Sequence, residues 1–428
     1  MIDDSAETLN AFVTILFNKR DYKKAVELAE KMFEIYPNDI RSIVNKVKAL
    51  THSGKMMEAE KFCLENLQKH QDSASLWFQM GFLQELIYCN DRKAIECYKA
   101  AAELGNAAAE YNIAVAYQKL GEFSEAEKYY KQMLQKFPDD INSITSLGMC
   151  YLAQKKFKEG YDLYFKRDKS KFKDLSRNFW QPDDDLSEEI NVICDQGYGD
   201  HIMFSRYFRL LKGLKVNVGA RESLREFFQT NFPEINFIKY EDLNPDIQTV
   251  FITDLPYVLG ADFEHIPEYT LEAAPAEILS NKLKVGFCWE AGAAGIRTMI
   301  NRTIHVKFFE KMFNLEKVQV YSFQYDDTLG GNEKYPQMIN LAKDFKNFTA
   351  TASALKAMDV VVTVDTSIVH LSGALGVKTF LLLPYASDWR WFEDTKTTPW
   401  YRSVEIFKQK DCISWEREIE DIVKRITS

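Results

Sequence analysis

The sequence predicts an α + α/β protein, in which an N-terminal α-helical solenoid precedes two doubly wound α/β domains. Three observations lead to this prediction. Small residues recur every 32 to 35 residues up to about residue 160, strand and helix patterns alternate from residue 189 onward, and two polar turns each connect an apolar strand to a helix. Alternating strands and helices are typical of parallel sheets covered by helices.

Composition indicates a soluble protein of two or three domains. The chain has 428 residues, of which 46% are hydrophobic and 27% charged, and its net charge is −9. A negative balance gives no support to a nucleic-acid partner. No apolar run approaches the ~20 residues of a membrane span. We therefore expect neither nucleic acid nor a membrane span.

Cysteine usage indicates a reducing compartment. The seven cysteines are scattered along the chain and never form a CxxC pair. This pattern favours reduced thiols over a disulfide framework or a zinc site. The acidic, polar stretch MIDDSAETLN at the start does not have the pattern of a signal peptide. The expected location is the cytoplasm.

Internal repeats dominate the first part of the chain. Each unit has a small residue in a helical segment that follows a turn, and these residues are Ala25, Ala59, Ala94, Ala126 and Gly160. Around them, glycines, tyrosines and terminal prolines recur in the same frame. The pattern resembles tetratricopeptide repeats over residues 6–170. The resemblance implies a right-handed superhelix whose concave surface binds a protein partner.

The domain boundaries follow from where the patterns change. A charged segment with one proline, residues 171–188, is predicted to be a linker. Its acidic run Asp183–Asp185 is interpreted as solvated chain rather than a metal site. The strand–helix alternation divides near Pro275, which predicts one α/β domain over 189–275 and a second over 276–428.

The stretch DVVVTVDTSIVHLSGALGVKT, residues 359–379, organises the second domain. Its β-branched run predicts a buried parallel strand. Asp365, Thr366 and Ser367 follow at the turn into a helix, and His370 lies one helical turn further on. Unpaired N–H groups and the positive end of the helix dipole make such a turn an anion site. The alternative is an ordinary cap by Thr366 or Ser367.

A second polar turn lies in the first α/β domain. The strand INVIC leads to Asp195-Gln-Gly197-Tyr-Gly199-Asp200-His201 and then to an apolar helix. Gly197 and Gly199 allow a sharp turn or a close approach to a ligand. The third glycine of a dinucleotide fingerprint is absent, which argues against a dehydrogenase. Asp200 is either a helix cap or a catalytic residue.

Together the two turns resemble a known group of proteins. GYGDHIMFSRY and VDTSIVHLSGALGVKTFLLLPYASDWRW are similar to sequences of bacterial tetratricopeptide proteins whose C-terminal half is a GT-B glycosyltransferase, a pair of Rossmann-like domains related to heptosyltransferases. Some members resemble soluble flagellin glycosyltransferases, in which the repeats hold the protein acceptor. The resemblance implies transfer of a sugar from a nucleotide-sugar donor to a hydroxyl group.

The resemblance also implies roles for individual residues. Asp200, preceded by Gly199, is the expected general base; His201, where this group more often has an acidic or small polar residue, either assists it or contacts the acceptor. Asp365, Thr366, Ser367 and His370 are expected at the donor, with Thr366 and Ser367 near its phosphates. Relatives place a basic residue after the first strand of the second domain. Arg302 takes that place here, with Arg297 as its rival.

Two further residues are candidates at the donor. Trp289 and Glu290 end the first strand of the second domain, and Glu290 either binds sugar hydroxyls or is structural. Asp326 and Asp327 follow a strand, but a DxD metal motif is lacking. We therefore expect a metal-independent enzyme without a cofactor, whose nucleotide sugar is a co-substrate.

The favoured function is thus an inverting glycosyltransferase that acts on a protein held by the repeats. A base on one domain and the donor phosphates on the other favour a single displacement. One alternative is a non-catalytic repeat scaffold with a degenerate nucleotide-binding domain. A nucleotide-sugar epimerase is a third reading, which the fused repeats weaken because a small-molecule reaction does not need them.

Overall fold

The computed structural model describes residues 5–292, 302–392, 396–410 and 414–427. The chain divides into two compact units, Met1–Cys150 and Tyr151–Ser428. The first unit is helical, and the second contains two sheets with their helices. No helix within the described ranges is long and apolar enough to cross a membrane.

The first unit is a series of helix pairs. The helices are α1 (Ala6–Asn18), α2 (Tyr22–Ile35), α3 (Ile40–His52), α4 (Met56–Leu67), α5 (Ala74–Tyr88), α6 (Asp91–Glu103), α7 (Ala107–Lys119), α8 (Phe123–Lys136) and α9 (Ile141–Ala153), which carries the boundary between the units. Many begin at a short polar side chain that accepts from an early backbone N–H, as Ser5, Asp21, Asp39, Ser73, Asn90 and Asn106 do.

The recurring small residues lie where the helices of a pair touch. Ala25, Ala59, Ala94 and Ala126 are fully buried. At Gly81 in α5 the approach is very close, because a Cβ there would lie 2.7 Å from Cε1 of Tyr98 in α6. A larger side chain would separate the two helices. The predicted helical repeat array is confirmed.

The second unit contains nine helices within the described ranges. They are α10 (Phe157–Tyr164), α11 (Tyr198–Phe204), α12 (Glu222–Asn231), α13 (Leu255–Val258), α14 (Glu310–Phe313), α15 (Gly331–Lys334), α16 (Phe348–Lys356), α17 (Ser367–Ala374) and α18 (Glu416–Thr427). A 3₁₀ turn, Ser205–Leu211, continues α11.

The first sheet has four parallel strands in the order β3-β2-β1-β4. They are β1 (Glu189–Ile193), β2 (Lys215–Gly219), β3 (Asn236–Ile238) and β4 (Thr249–Phe251). The strand order reverses at β1, since β2 lies on one side and β4 on the other. Ligands of open α/β sheets bind at the carboxyl end of such a point. The turn that leads to Asp200 starts there.

The second sheet has seven strands in the order β10-β11-β9-β8-β5-β6-β7, and only the β10–β11 pair is antiparallel among them. They are β5 (Leu283–Cys288), β6 (Val318–Ser322), β7 (Ile339–Asn340), β8 (Val360–Val364), β9 (Thr379–Leu383), β10 (Thr397–Thr398) and β11 (Tyr401–Lys408). The order reverses between β5 and β8. The predicted fold class, a helical repeat region followed by an α/β region with parallel sheets, is confirmed.

The segment predicted as a linker, residues 171–188, lies along the first sheet. Phe179 forms a parallel bridge with Thr249 of β4, and the backbone N–H of Trp180 donates to the Thr249 carbonyl (2.9 Å). The second unit also begins earlier than the predicted linker does, at Tyr151. The signal of the last repeat therefore continues into a helix, α10, that belongs to the α/β unit.

Candidate functional site

The first polar turn follows β1 at the reversal point of the first sheet. Gln196 has φ +70°, a left-handed conformation that is uncommon for a residue with a side chain. Gly197 is the N-cap of α11, and the Asp200 Oδ2 accepts from the Gly197 N–H (3.1 Å). Asp200 therefore does cap the helix, as one of its two predicted roles required. Its other oxygen, Oδ1, is engaged elsewhere.

The second polar turn follows β8 in the second sheet. Thr366 is the N-cap of α17, and its hydroxyl oxygen accepts from the Ile368 N–H (3.2 Å). Ser367 is the first residue of the helix, and both Thr366 and Ser367 are half-buried. The capping role of Thr366 is thus present. The turn still directs the start of α17 toward the edge of the sheet where ligands bind.

The helices that leave the two turns are in contact. A Cβ at Gly199 in α11 would lie 2.6 Å from Cδ2 of His370 in α17. Only a glycine permits this approach, because His370 is buried and its ring also stacks on Trp391 at 5.3 Å. The two predicted parts of the site, which lie far apart in sequence, therefore meet in one place.

An arginine connects the two turns. Arg390 forms an ion pair with Asp200, with 2.6 Å between Nη2 and the Asp200 Oδ1, and it donates through Nη1 to Oδ1 of Asp388 (2.8 Å). Burial alone would lower the pKa of Arg390, but the carboxylates of Asp200 and Asp388 outweigh burial and hold it well above its usual value. Burial would raise the pKa of the Asp388 carboxyl, yet Arg390 keeps that pKa below its usual value. Arg390 and Asp388 are therefore both charged at neutral pH.

A second ion pair lies beside α17. Arg302 donates through Nη1 to Oδ2 of Asp365 (3.2 Å), and its Nε has no hydrogen-bond partner among the described residues. Burial raises the pKa of Asp365, although Arg302 opposes the rise. His370 places its Nε2 4.0 Å from Asp365 Oδ1, and its Nδ1 lies 3.1 Å from the Tyr401 hydroxyl. Arg302 thus lies at the predicted donor side. The rival residue Arg297 lies outside the described residues.

His201 does not reach the surface of the site. Its side chain is fully buried in α11, and its ring packs edge-on against Tyr198 at 6.1 Å. Burial lowers its pKa to about 4, so the ring is neutral at pH 7. A buried, neutral histidine contributes to packing and cannot touch an acceptor from this position. The geometry therefore supports neither predicted role of His201, assistance to the base or contact with the acceptor.

Trp289 and Glu290 are also structural in this geometry. Trp289 is fully buried in the main apolar core of the second sheet. The Glu290 carboxylate accepts from Trp289 Nε1 (3.0 Å), from the Leu329 N–H (3.1 Å) and from both the N–H and hydroxyl of Thr328. These donors saturate it and anchor the loop after β6. The structural alternative for Glu290 is favoured, and Trp289 offers no surface to a donor.

Sequence reasoning missed Arg390. Arg390 lies between Trp389 and Trp391 in the stretch PYASDWRW, which entered the sequence analysis only through the family resemblance. Trp391 supports this loop, since it is fully buried against His370. The available signal was the position of Arg390 just after β9, the strand next to β8, since such loops face the ligand site.

A buried ionic cluster below the first turn was missed as well. Arg167 donates through Nη2 to Asp195 Oδ2 (2.7 Å) and through Nη1 to Asp254. Lys169 Nζ lies 2.7 Å from Asp254 Oδ2, and the Thr253 hydroxyl donates to Asp195 (2.9 Å). Asp195 directly follows β1 and Asp254 lies just beyond β4. The cluster holds together the residues at the carboxyl edge of the first sheet, where the turn to Asp200 begins.

Two cavities accompany the site. One of about 760 Å³ lies between α12 and the start of α16, and Tyr198, two residues before Asp200, is part of its wall. The other, of about 310 Å³, lies beside β4 and includes Lys169 and Asp254. Within the described ranges, no group of three or more His, Cys, Asp or Glu side chains is placed to hold a metal ion.

A comparison with protein families supports the predicted tetratricopeptide repeats. A family model for the tetratricopeptide repeat matches residues 107–140, which span α7 and α8. No curated protein matches this chain. The chain thus contains a tetratricopeptide repeat, and a helical repeat region fused to two parallel sheets is the class that its fold defines.

Several solved structures resemble parts of the chain. ADP-heptose LPS heptosyltransferase II of Escherichia coli has 14% identity and a TM-score of 0.40, and the match covers 56% of this chain and 98% of that one. A thermophilic TPR protein of Thermus thermophilus has 17% identity and a TM-score of 0.35, over 38% and 89% of the two chains. PilW, a type IV pilus biogenesis factor, has 15% identity and a TM-score of 0.35, over 40% and 81%. Likenesses of this strength carry no argument about activity.

Proposed function

We propose that this chain is a glycosyltransferase that moves a sugar from a nucleotide-sugar donor to a hydroxyl group. The observation that supports the proposal most is the meeting of two polar turns from two different sheets. The Gly199–His370 contact brings a carboxylate, Asp200, and the start of a helix, Ser367, to the same region. Sugar transfer needs both a base for the acceptor and donors for the leaving phosphate.

Asp200 is the proposed general base. Its side chain is 18% exposed, whereas that of His370 is 6% exposed. Asp200 is therefore the more accessible of the two groups. In the proposed step the acceptor oxygen forms a bond to the anomeric carbon while the bond from that carbon to the donor phosphate breaks. The acceptor proton passes to Asp200, and the nucleoside diphosphate leaves. A single displacement of this kind inverts the anomeric configuration.

The donor phosphates are proposed to bind at the start of α17. Ser367 is the first residue of this helix, and both Ser367 and Thr366 are half-buried. Among the described residues the Nε of Arg302 has no hydrogen-bond partner, and its side chain is 30% exposed. A helix N-terminus together with an arginine can balance the charge of a diphosphate without a metal ion. Asp365, which pairs with Arg302, and His370, which lies in α17, then hold the arginine and the helix start in place.

The proposed acceptor is a protein held by the repeats, such as a flagellin-like chain. The tetratricopeptide match supports a protein-binding role for the first unit. Units of this kind stack so that one surface remains open to a partner. The acceptor hydroxyl would then be delivered to a site in the second unit, which explains why both units occur in one chain.

The proposal is tested by the melting temperature of the full-length protein with nucleotides and nucleotide sugars. A ligand of the folded state raises the midpoint. We expect a shift with one donor, and we expect Thr366→Ala/Ser367→Ala and Arg302→Gln to reduce the donor affinity about tenfold or more, since each removes phosphate hydrogen bonds. Asp200→Asn should keep the affinity and lose transfer to an acceptor, measured by mass spectrometry.

The controls distinguish the alternatives. Arg177→Gln removes an exposed ion pair of the first sheet and should change neither quantity. Transfer that persists in excess EDTA is expected for a metal-independent enzyme. A donor that binds but is never transferred would favour the non-catalytic scaffold, and a well-folded protein that binds no nucleotide would contradict the proposal entirely.

A further inference from the structure

Arg390 is the only described residue whose side chain forms an ion pair with Asp200, and it does so from the opposite sheet. It lies after β9 of the second sheet, whereas Asp200 lies after β1 of the first. We infer that Arg390 is a positioning residue that fixes the orientation of the Asp200 carboxylate for transfer. The inference rests on the proposed function for the reaction and on geometry for the contact.

Arg390 can orient the Asp200 carboxylate because several neighbours fix the position of Arg390 itself. Asp388 accepts both from the Arg390 backbone N–H (3.1 Å) and from Nη1 (2.8 Å). The Arg390 carbonyl accepts from Trp400 Nε1 (2.6 Å), and the guanidinium lies 4.6 Å from the centre of the Trp389 ring. The side chain is 13% exposed. Its position is therefore set by the loop rather than by solvent.

The loop is in turn braced by α10. Trp389 packs edge-on against Tyr161 at 6.5 Å and against Tyr164 at 6.1 Å. Trp400 stacks on Phe157, the first residue of the same helix, at 6.5 Å. Aromatic pairs at these separations stabilise the packing beyond the burial of their surfaces. The support of Arg390 thus extends to the helix that begins the second unit.

The consequence for Asp200 is that both carboxylate oxygens have a fixed partner. Oδ2 accepts from the Gly197 N–H of its own turn, and Oδ1 lies 2.6 Å from Arg390 Nη2 in the ion pair. A carboxylate held at both oxygens cannot rotate freely about its terminal bond. Its orientation is then defined, as a general base requires.

The charged and titratable groups around Asp200 come from several elements. Arg390 and Asp388 lie on the loop after β9, His370 on α17 and Tyr164 on α10. Burial lowers the pKa of His370 to about 3 and raises that of Tyr164 to about 12, so both are neutral. Arg390 is therefore the cation among these groups that faces the base.

The first test is kinetic and uses full-length protein with the nucleotide sugar that the thermal screen identifies. Arg390→Gln should lower kcat about 10²-fold, because a misoriented base loses about that factor, and should leave the donor KM within about twofold. Arg390→Lys keeps the charge but loses the two-pronged geometry, so it should recover part of the loss. Arg402→Gln, at an exposed ion pair with Glu268, is the matched control and should behave as wild type.

The second test does not depend on activity. Unfolding midpoints of Asp200→Asn, Arg390→Gln and the double variant form a cycle. If Arg390 holds Asp200, the double variant should melt no lower than the less stable single variant. Additive losses would overturn the inference, because two residues that do not interact contribute independently.

The two tests also separate this inference from the proposed function. If wild-type protein transfers no sugar, the proposed function fails, while the cycle still decides whether Arg390 holds Asp200. If the cycle shows coupling but Arg390→Gln transfers at the wild-type rate, the positioning role is refuted. An equal loss of donor affinity and kcat would also refute it, since Arg390 would then be a donor ligand.

Discussion

Two histidines lie next to the polar turns, and burial keeps both of them neutral. His201 follows Asp200 in α11, with a pKa lowered to about 4, and His370 lies in α17, with a pKa lowered to about 3. An accessible histidine could exchange protons at neutral pH. Both histidines are instead buried in the packing around the contact between α11 and α17. Asp200 therefore remains the proposed base.

The buried histidines predict that stability falls in mild acid. Their folded pKa values lie below the unfolded value of 6.5, so the unfolded chain binds more protons below pH 6.5. Stability is therefore complete above about pH 6.5 and is lost as pH falls toward the folded values, by roughly 2 kcal/mol per histidine at about pH 5. Urea unfolding at several pH values, followed by tryptophan fluorescence, measures this, because six of the seven tryptophans belong to the second unit.

The substitution His201→Leu tests whether the buried histidines cause this loss of stability in acid. Leucine is of similar size but does not titrate. This variant should therefore reduce the loss of stability between pH 7 and pH 5 by about half. His265→Gln is the control, because His265 is exposed and paired with Asp262. An unchanged slope in His201→Leu would mean that His201 does not stay neutral in the folded protein.

At the scale of secondary-structure elements, the site depends on one helix–helix contact. α11 starts at the turn after β1, and α17 starts at the turn after β8. Each helix is capped by a polar residue of its own turn, Asp200 or Thr366. Local sequence thus explains where each helix begins. The distance between them depends on Gly199, which allows the His370 ring to approach its backbone.

Gly199→Ala should therefore destabilise the second unit. The new Cβ would lie 2.6 Å from His370 Cδ2, and His370 cannot retreat because Trp391 and Tyr401 confine it. Overpacking of this kind costs about 1–3 kcal/mol. Gly197→Ser is the matched control, since a Cβ there meets only Asp200 Oδ2 at 3.4 Å and serine is a favourable N-cap. Equal stability of the two variants in urea unfolding would contradict the contact.

At the scale of the whole molecule, the α/β unit includes residues that the sequence pattern assigns to the repeats. α10 ends at Tyr164, and its tyrosines pack against Trp389. Arg167 then pairs with Asp195 and Asp254 at the carboxyl edge of the first sheet. A unit that starts at Tyr151 retains all of these contacts, whereas one that starts after the predicted repeat end, residue 170, loses them.

Two truncations test this difference. The chain 151–428 should fold cooperatively and bind the donor with the affinity of the full-length protein. The chain 171–428 leaves Asp195 and Asp254 without Arg167 and Lys169, and an unpaired buried charge costs about 3–5 kcal/mol. It should unfold or aggregate, as measured by circular dichroism and gel filtration. Equal folding of both chains would mean that residues 151–170 are not part of the second unit.

The sequence by itself determined the fold class and the two polar turns. Repeat spacing, β-branched strands and capping residues are local features, and local features fix where helices and strands begin and end. The bounds of β8, Val360–Val364, agree with the β-branched run from which this strand was predicted.

Only the tertiary structure decided which side chains reach the site. Glu290 and Trp289 follow β5 as a ligand-binding residue would, but their neighbours come from the loop after β6 and bury them. His201 is fully buried, while Arg390, which the sequence shows as one charge between two tryptophans, pairs with Asp200. Burial and ion pairing depend on residues that are distant in sequence, and spacing along the chain does not encode them.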